Sequence, residues 1–172
     1  MNHKALLVAS LAALTLFSCG GETPKAATSA VDSFFASPAP SGATSIVELR
    51  AAKAGDEVVV TGRAKDFVEG RAQLTLIDNT AKACDEAGPM DTCPTPWDFC
   101  CDDPRDIAKL CATLQLRDAS GVIKEGLRGH GGLEHLDTVI ASGKLETDSE
   151  GNLTVNASRI AFVKRTPPPP RK

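Results

Sequence analysis

Four of the six cysteines in this 172-residue chain, Cys84, Cys93, Cys100 and Cys101, fall within eighteen residues. Sulfur at that density either closes disulfides or holds a soft cation. From Cys84 to Asp106 the stretch also carries seven acidic residues against one arginine, and few aliphatics that would fold it. In an oxidising compartment two disulfides are the simplest expectation. Bridging the neighbours Cys100 and Cys101 to each other strains the bond, so their partners are Cys84 and Cys93, in either crossing. The alternative is a metal site built from Cys84, Cys93, Cys100 and Cys101, although the spacing lacks the paired C-x-x-C knuckles of a tetrahedral zinc site. Asp85, Glu86, Asp91, Asp98, Asp102 and Asp103 lack the regular spacing of a calcium loop, and solvating the loop is their simpler role. Trp97 and Phe99, set among Pro94, Pro96 and the cysteines, read either as the miniature core of this loop or as an exposed anchor for a partner. Cys111 precedes an apolar strand and reads as a small buried hydrophobe, with a reactive thiol as the alternative.

No set of acid, base and nucleophile accompanies these residues. Beyond the leader the histidines are His130 and His135, and the chain has no G-x-S-x-G elbow, H-E-x-x-H pair or phosphate loop. Pairing Cys111 with His130 as nucleophile and base has no support in the spacing. We therefore expect no catalytic residues, no cofactor and no enzyme activity.

The elements that must position these side chains are mostly short strands. Ser45 and Glu48 form a capping-box pattern ahead of Ile46, Leu49 and Ala52, which predicts a helix over about 45–54 ending at Gly55. Strands are predicted over 57–64, 71–78, 112–117, 139–145 and 153–163, with a short helix over 133–138. In the second and third strands Leu74, Leu76, Leu114 and Leu116 alternate with Gln73, Thr75, Thr113, Gln115 and Arg117. The second set therefore faces outward as a polar binding face for another protein or a small polar ligand. It holds no aromatic residue on which a base could stack, and the formal charge is −3, so nucleic acid is not an expected partner.

At the N-terminus an apolar run over 5–17 follows Lys4. It is too short to span a membrane and has the length of a signal-peptide core. Leu16, Phe17, Ser18, Cys19 and Gly20 close it, and this resembles the bacterial lipobox. The resemblance implies that residues 1–18 are removed and that Cys19 is acylated as the first mature residue, anchoring the chain to a membrane of the cell envelope. Gly20 in place of aspartate implies the outer membrane rather than the inner. A bacterial origin also makes strand residues of the sequons at Asn152 and Asn156.

Five strands with a helical segment between the third and fourth is the order of an OB-fold barrel. The stretches GDEVVVTGRA, AQLTLID, ATLQLRDASG, VIASGKL and LTVNASRIAFV resemble the strands of bacterial OB-fold domains of the anticodon-binding type. The whole resembles bacterial lipoproteins that carry such a domain with a Cys-Pro-Thr-Pro-Trp and Cys-Cys insertion, here Cys93 to Trp97 with Cys100 and Cys101. The expected fold is all-β, a five-stranded OB-fold-like barrel, with a small β-sandwich as the alternative. The expected organisation is a leader over 1–18, a lipid-anchored tether over 19–43, the barrel domain over 44–164 with its acidic insertion at 84–106, and a proline-rich tail over 165–172. The resemblance carries no activity with it, because OB-folds host many functions. The reading is an extracytoplasmic, membrane-anchored, non-catalytic binding module, with metal binding by the cysteines as the alternative and single-stranded nucleic acid or oligosaccharide on the barrel face as a further one.

Overall fold

The structure, a computed structural model, describes residues 29–86 and 94–166. Ser45 caps the first helix, α1 (Ile46–Leu49), by accepting the Glu48 N–H, while the Glu48 carboxylate accepts the Ser45 N–H. The capping box is as expected, but the helix is a single turn. It buries Ile46 and Leu49 on the barrel.

Six strands follow: β1 (Glu57–Phe67), β2 (Gln73–Ile77), β3 (Cys111–Asp118), β4 (Gly121–Val122), β5 (Thr138–Thr147) and β6 (Leu153–Val163). The sheet runs β2-β1-β5-β6-β3-β4, and an additional β2–β3 pairing closes five of the strands into a barrel. Pairing is antiparallel throughout except between β3 and β6, which run parallel with Thr113 opposite Thr154. This order and closure are those of an OB-fold-like barrel, and the expected all-β class holds. β4 is a two-residue return after the Asp118 turn that leaves the barrel five-stranded.

The interior is filled by alternate residues. Val60, Leu74, Leu76, Leu114, Leu116, Val139, Ala141, Leu145, Val155 and Ile160 are buried in one cluster that includes Ile46 and Leu49 of α1. Two glycines permit the closure. A Cβ on Gly143 would lie 2.2 Å from the Asn156 carbonyl oxygen, at the bulge where β5 crosses β6, and one on Gly62 would lie 2.8 Å from the Ile77 carbonyl oxygen.

Residues 29–36, expected within the tether, pack on the barrel. Val31 is fully buried in the core, Phe35 bridges Ile160, and Asp32 pairs with His130 at 2.9 Å. Between β4 and β5 the helix expected over 133–138 is replaced by one 3-10 turn at His130–Gly132, followed by non-helical backbone in which Leu136 takes φ 67°. Gly131 and Gly132, both at positive φ, turn the chain there before a helix can start.

Candidate functional site

The acidic insertion is docked against the barrel wall. Its second helix, α2 (Pro104–Lys109), is capped by the Asp103 side chain, which accepts the Arg105 N–H, with Pro104 at the first helical position. A second, smaller apolar cluster forms beneath it from Ile77, Ala81, Ala83, Phe99 and Leu136, with Ile107, Leu110 and Cys111 packed alongside. Phe99 is 2% exposed there, packed on residues from outside the insertion, Ile77 of β2 and Leu136 among them, and not in a core of the loop's own with Trp97. Cys111 also belongs there, half-buried, and burial pushes its thiol above the ordinary range, away from the thiolate a nucleophile needs.

Ion pairs fasten the insertion to the strands. Arg63 of β1 is 8% exposed; its Nη1 donates to both Glu86 carboxylate oxygens at 2.8 Å, Nη2 donates to the Ala81 carbonyl, and the guanidinium lies over the Phe99 ring, 5.4 Å from its centre. Arg165, which follows β6, grips Asp85 in a fork of 2.7 and 2.8 Å and reaches Glu86 at 3.3 Å. Arg165, the first residue of the expected proline-rich tail, ties the end of the barrel to the insertion. Asp137, 2% exposed at the head of β5, accepts N–H groups from Glu134 and Arg165 at 2.8 Å each and pairs with Lys164 at 2.9 Å. Burial by itself would raise the Glu86 and Asp137 carboxyls. The Arg63 guanidinium and the Ala83 N–H at Glu86, and the Lys164 ammonium with the two backbone donors at Asp137, outweigh it and hold both below the usual carboxylate range.

Trp97 separates from Phe99. It is 40% exposed and stacks on the His135 ring, with centres 5.6 Å apart and planes inclined by 25°. His135 in turn meets the edge of Phe67 at 5.1 Å, so three rings run in a row from the insertion to the end of β1. The His135 orientation is fixed by Nδ1, which lies 2.5 Å from the Lys65 carbonyl oxygen; a carbonyl only accepts, so Nδ1 carries the proton. Two shallow cavities open on either side of this row. One of about 550 Å³ is lined by Phe67, Glu69, Gly70, Arg128 and His135, the other of about 380 Å³ by Trp97, Arg128, His135, Lys164 and Arg165. Arg128 and His135 border both. His135 was read from sequence only as one of the two histidines beyond the leader. Nothing in the spacing of Phe67, Trp97 and His135 announces their contact, because it is made by three separate loops and strand ends.

The polar barrel face sits elsewhere. Gln73 faces Gln115 and Thr75 faces Thr113 across β2 and β3, with Arg117 exposed at the β3 end, and the Gln115 amide donates to the Asn156 side chain at 2.6 Å. The expected alternation is present at Gln73, Thr75, Thr113 and Arg117, but Gln115, expected to face outward, is only 8% exposed, covered where its amide meets Asn156.

The thiols converge. Cys84 is buried, and its Sγ lies 3.3 Å from that of Cys100 and 3.6 Å from that of Cys101. Both distances exceed a disulfide bond, which is about 2.05 Å. Cys19, Cys93 and Asp91 lie outside the described residues.

No family model matches the chain, and no curated protein matches it. Among solved structures the chain is similar to the aspartyl tRNA synthetase from Entamoeba histolytica, at 12% identity and a TM-score of 0.46, over 93% of this chain and 30% of that one. It is also similar to an OBody bound to hen egg-white lysozyme, at 14% identity and a TM-score of 0.41, over 76% of this chain and the whole of that one. The chain thus spans less than a third of that synthetase. The class of the domain is defined by its own strand order and closure, an OB-fold-like barrel.

Proposed function

We propose that the protein is a lipid-anchored, extracytoplasmic, non-catalytic binding module, and that it takes its partner in the groove along Trp97, His135 and Phe67. The partner is another envelope protein or a small polar ligand. The observation that carries this reading is the Trp97 ring: a large apolar side chain left 40% exposed, yet stacked on a histidine whose tautomer is fixed. Rigid, partly exposed aromatics of this kind are what binding hot spots are made of. Arg128, Lys164 and Arg165 border the two cavities as members of ion pairs with Glu134, Asp137 and Asp85, so the walls carry both signs of charge. The barrel interior offers no competing site, being packed with aliphatic side chains. Anchoring rests on the apolar run closed by Cys19.

The experiment is capture from envelope extracts by the full chain and by its Trp97→Ala variant. Specific capture by the wild type, lost in Trp97→Ala and kept in Thr113→Ala, is the expected result. Micromolar, salt-dependent binding to a single-stranded oligonucleotide that Thr113→Ala or Arg117→Ala weakens would move the function to the barrel face and overturn the reading.

A further inference from the structure

We propose that Cys84, Cys100 and Cys101 form a thiolate site for a soft d10 cation, copper(I) or zinc(II). The inference is independent of the anchor and of the Trp97 groove. The three sulfurs lie within 4.8 Å of one another. A cation bonded to thiolates at about 2.3 Å sets its sulfurs about 3.8 Å apart, and a disulfide brings two of them to about 2.05 Å. The separations of 3.3 and 3.6 Å from Cys84 are those of thiols in contact, within reach of one shared cation and longer than a disulfide bond.

The backbone is arranged to bring both neighbours to one sulfur. Consecutive side chains in extended chain point to opposite sides. Cys100 and Cys101 instead occupy a turn, which the Asp102 N–H closes on the Phe99 carbonyl, and both converge on Cys84. One cation placed at Cys84 is within reach of both sulfurs. On the other side Cys84 is held before any ligand arrives. Its N–H donates to the Asp98 carbonyl at 2.8 Å, the next N–H donates to Pro96, and Asp85 and Glu86 are clamped by Arg165 and Arg63. The ligand set is therefore braced by a second layer, which metal sites need for affinity.

The ligand chemistry selects the ion. Among the described residues the cluster is made of three sulfurs, a donor set that favours soft, thiophilic cations over calcium or magnesium. Cys84 is buried and Cys100 and Cys101 are exposed, so the site opens to solvent on one side. Asp98, Asp102 and Lys65 line the shallow cavity beside Cys100. On binding, each thiol releases its proton to solvent as its sulfur takes the metal, so affinity falls as pH falls.

The test is titration of the reduced full chain with cadmium(II) under anaerobic conditions, followed by sulfur-to-metal charge-transfer absorption. A plateau at one equivalent is expected, displaced by copper(I). Cys84→Ser, Cys100→Ser and Cys101→Ser should each weaken binding at least about tenfold, while Cys111→Ser and Trp97→Ala titrate like the wild type. Charge-transfer absorption absent from the fully reduced chain would overturn the proposal. So would dependence on only one of Cys100 and Cys101, together with a peptide map linking that residue to Cys84, which would make the cluster a disulfide. Because Trp97→Ala leaves the titration unchanged, failure here and failure of the binding groove are separate results.

Discussion

Gly143 shows how much one residue decides. Its missing Cβ is what lets β6 approach β5 at the bulge, where any side chain would overlap the Asn156 carbonyl. Gly143→Ala is therefore expected to destabilise the barrel by about 1–3 kcal/mol or more, since overpacking against backbone has no flexible neighbour to relieve it. A lowered denaturant midpoint with an unchanged slope checks this, and a midpoint equal to that of the wild type would show that the strands have room there. Sequence gave unequal access to such residues. The Ser45–Glu48 box and the alternation of Leu74, Leu76, Leu114 and Leu116 announce themselves, because their signals are local. The split between buried Phe99 and exposed Trp97, two residues apart, does not, because Arg63 and His135 decide it from distant parts of the chain.

At the scale of the element, the insertion is held by charge as well as by its small apolar cluster. Glu86 and Asp137 both titrate below the usual carboxylate range in the folded chain. A depressed folded value means that the stabilisation is complete above the unfolded pKa, about 4, and is lost as pH falls through the lower folded value. The insertion should therefore stay docked at neutral pH and loosen in acid below about pH 4, before the barrel core opens. Trp97 is the chain's single tryptophan, so its emission reports the event directly. Glu86→Gln should lower protease resistance of the insertion at neutral pH and flatten its acid dependence. Equal resistance at pH 3 and pH 7 in the wild type would mean that the ion pairs do not hold the insertion. The cysteine density marked this element as special in the sequence. Its docking partners were hidden, with Arg165 placed at the start of the proline-rich tail and Arg63 lost inside a strand pattern.

For the whole molecule, the strands were readable one by one, β2 and β3 from their alternation and β1 from its β-branched run, whereas the parallel β3–β6 contact was not, since no local signal encodes which distant strands meet. Val31 and Phe35 pack on the barrel, so the domain begins earlier than the composition of the Ala, Ser and Pro stretch suggested. The anchor adds a claim about place: mass spectrometry should find Cys19 acylated at the mature N-terminus, and Cys19→Ala should release the protein from membranes. An unmodified Cys19, or cleavage elsewhere, would remove the envelope from the account. The central claim, a partner bound at the aromatic row, is tested most directly by photo-cross-linking in cells, with a photoreactive residue replacing Trp97 or Thr113 in the full chain. The account predicts one discrete membrane-associated adduct from position 97, weakened by Arg128→Ala, and none from position 113; adducts from position 113 alone would contradict it.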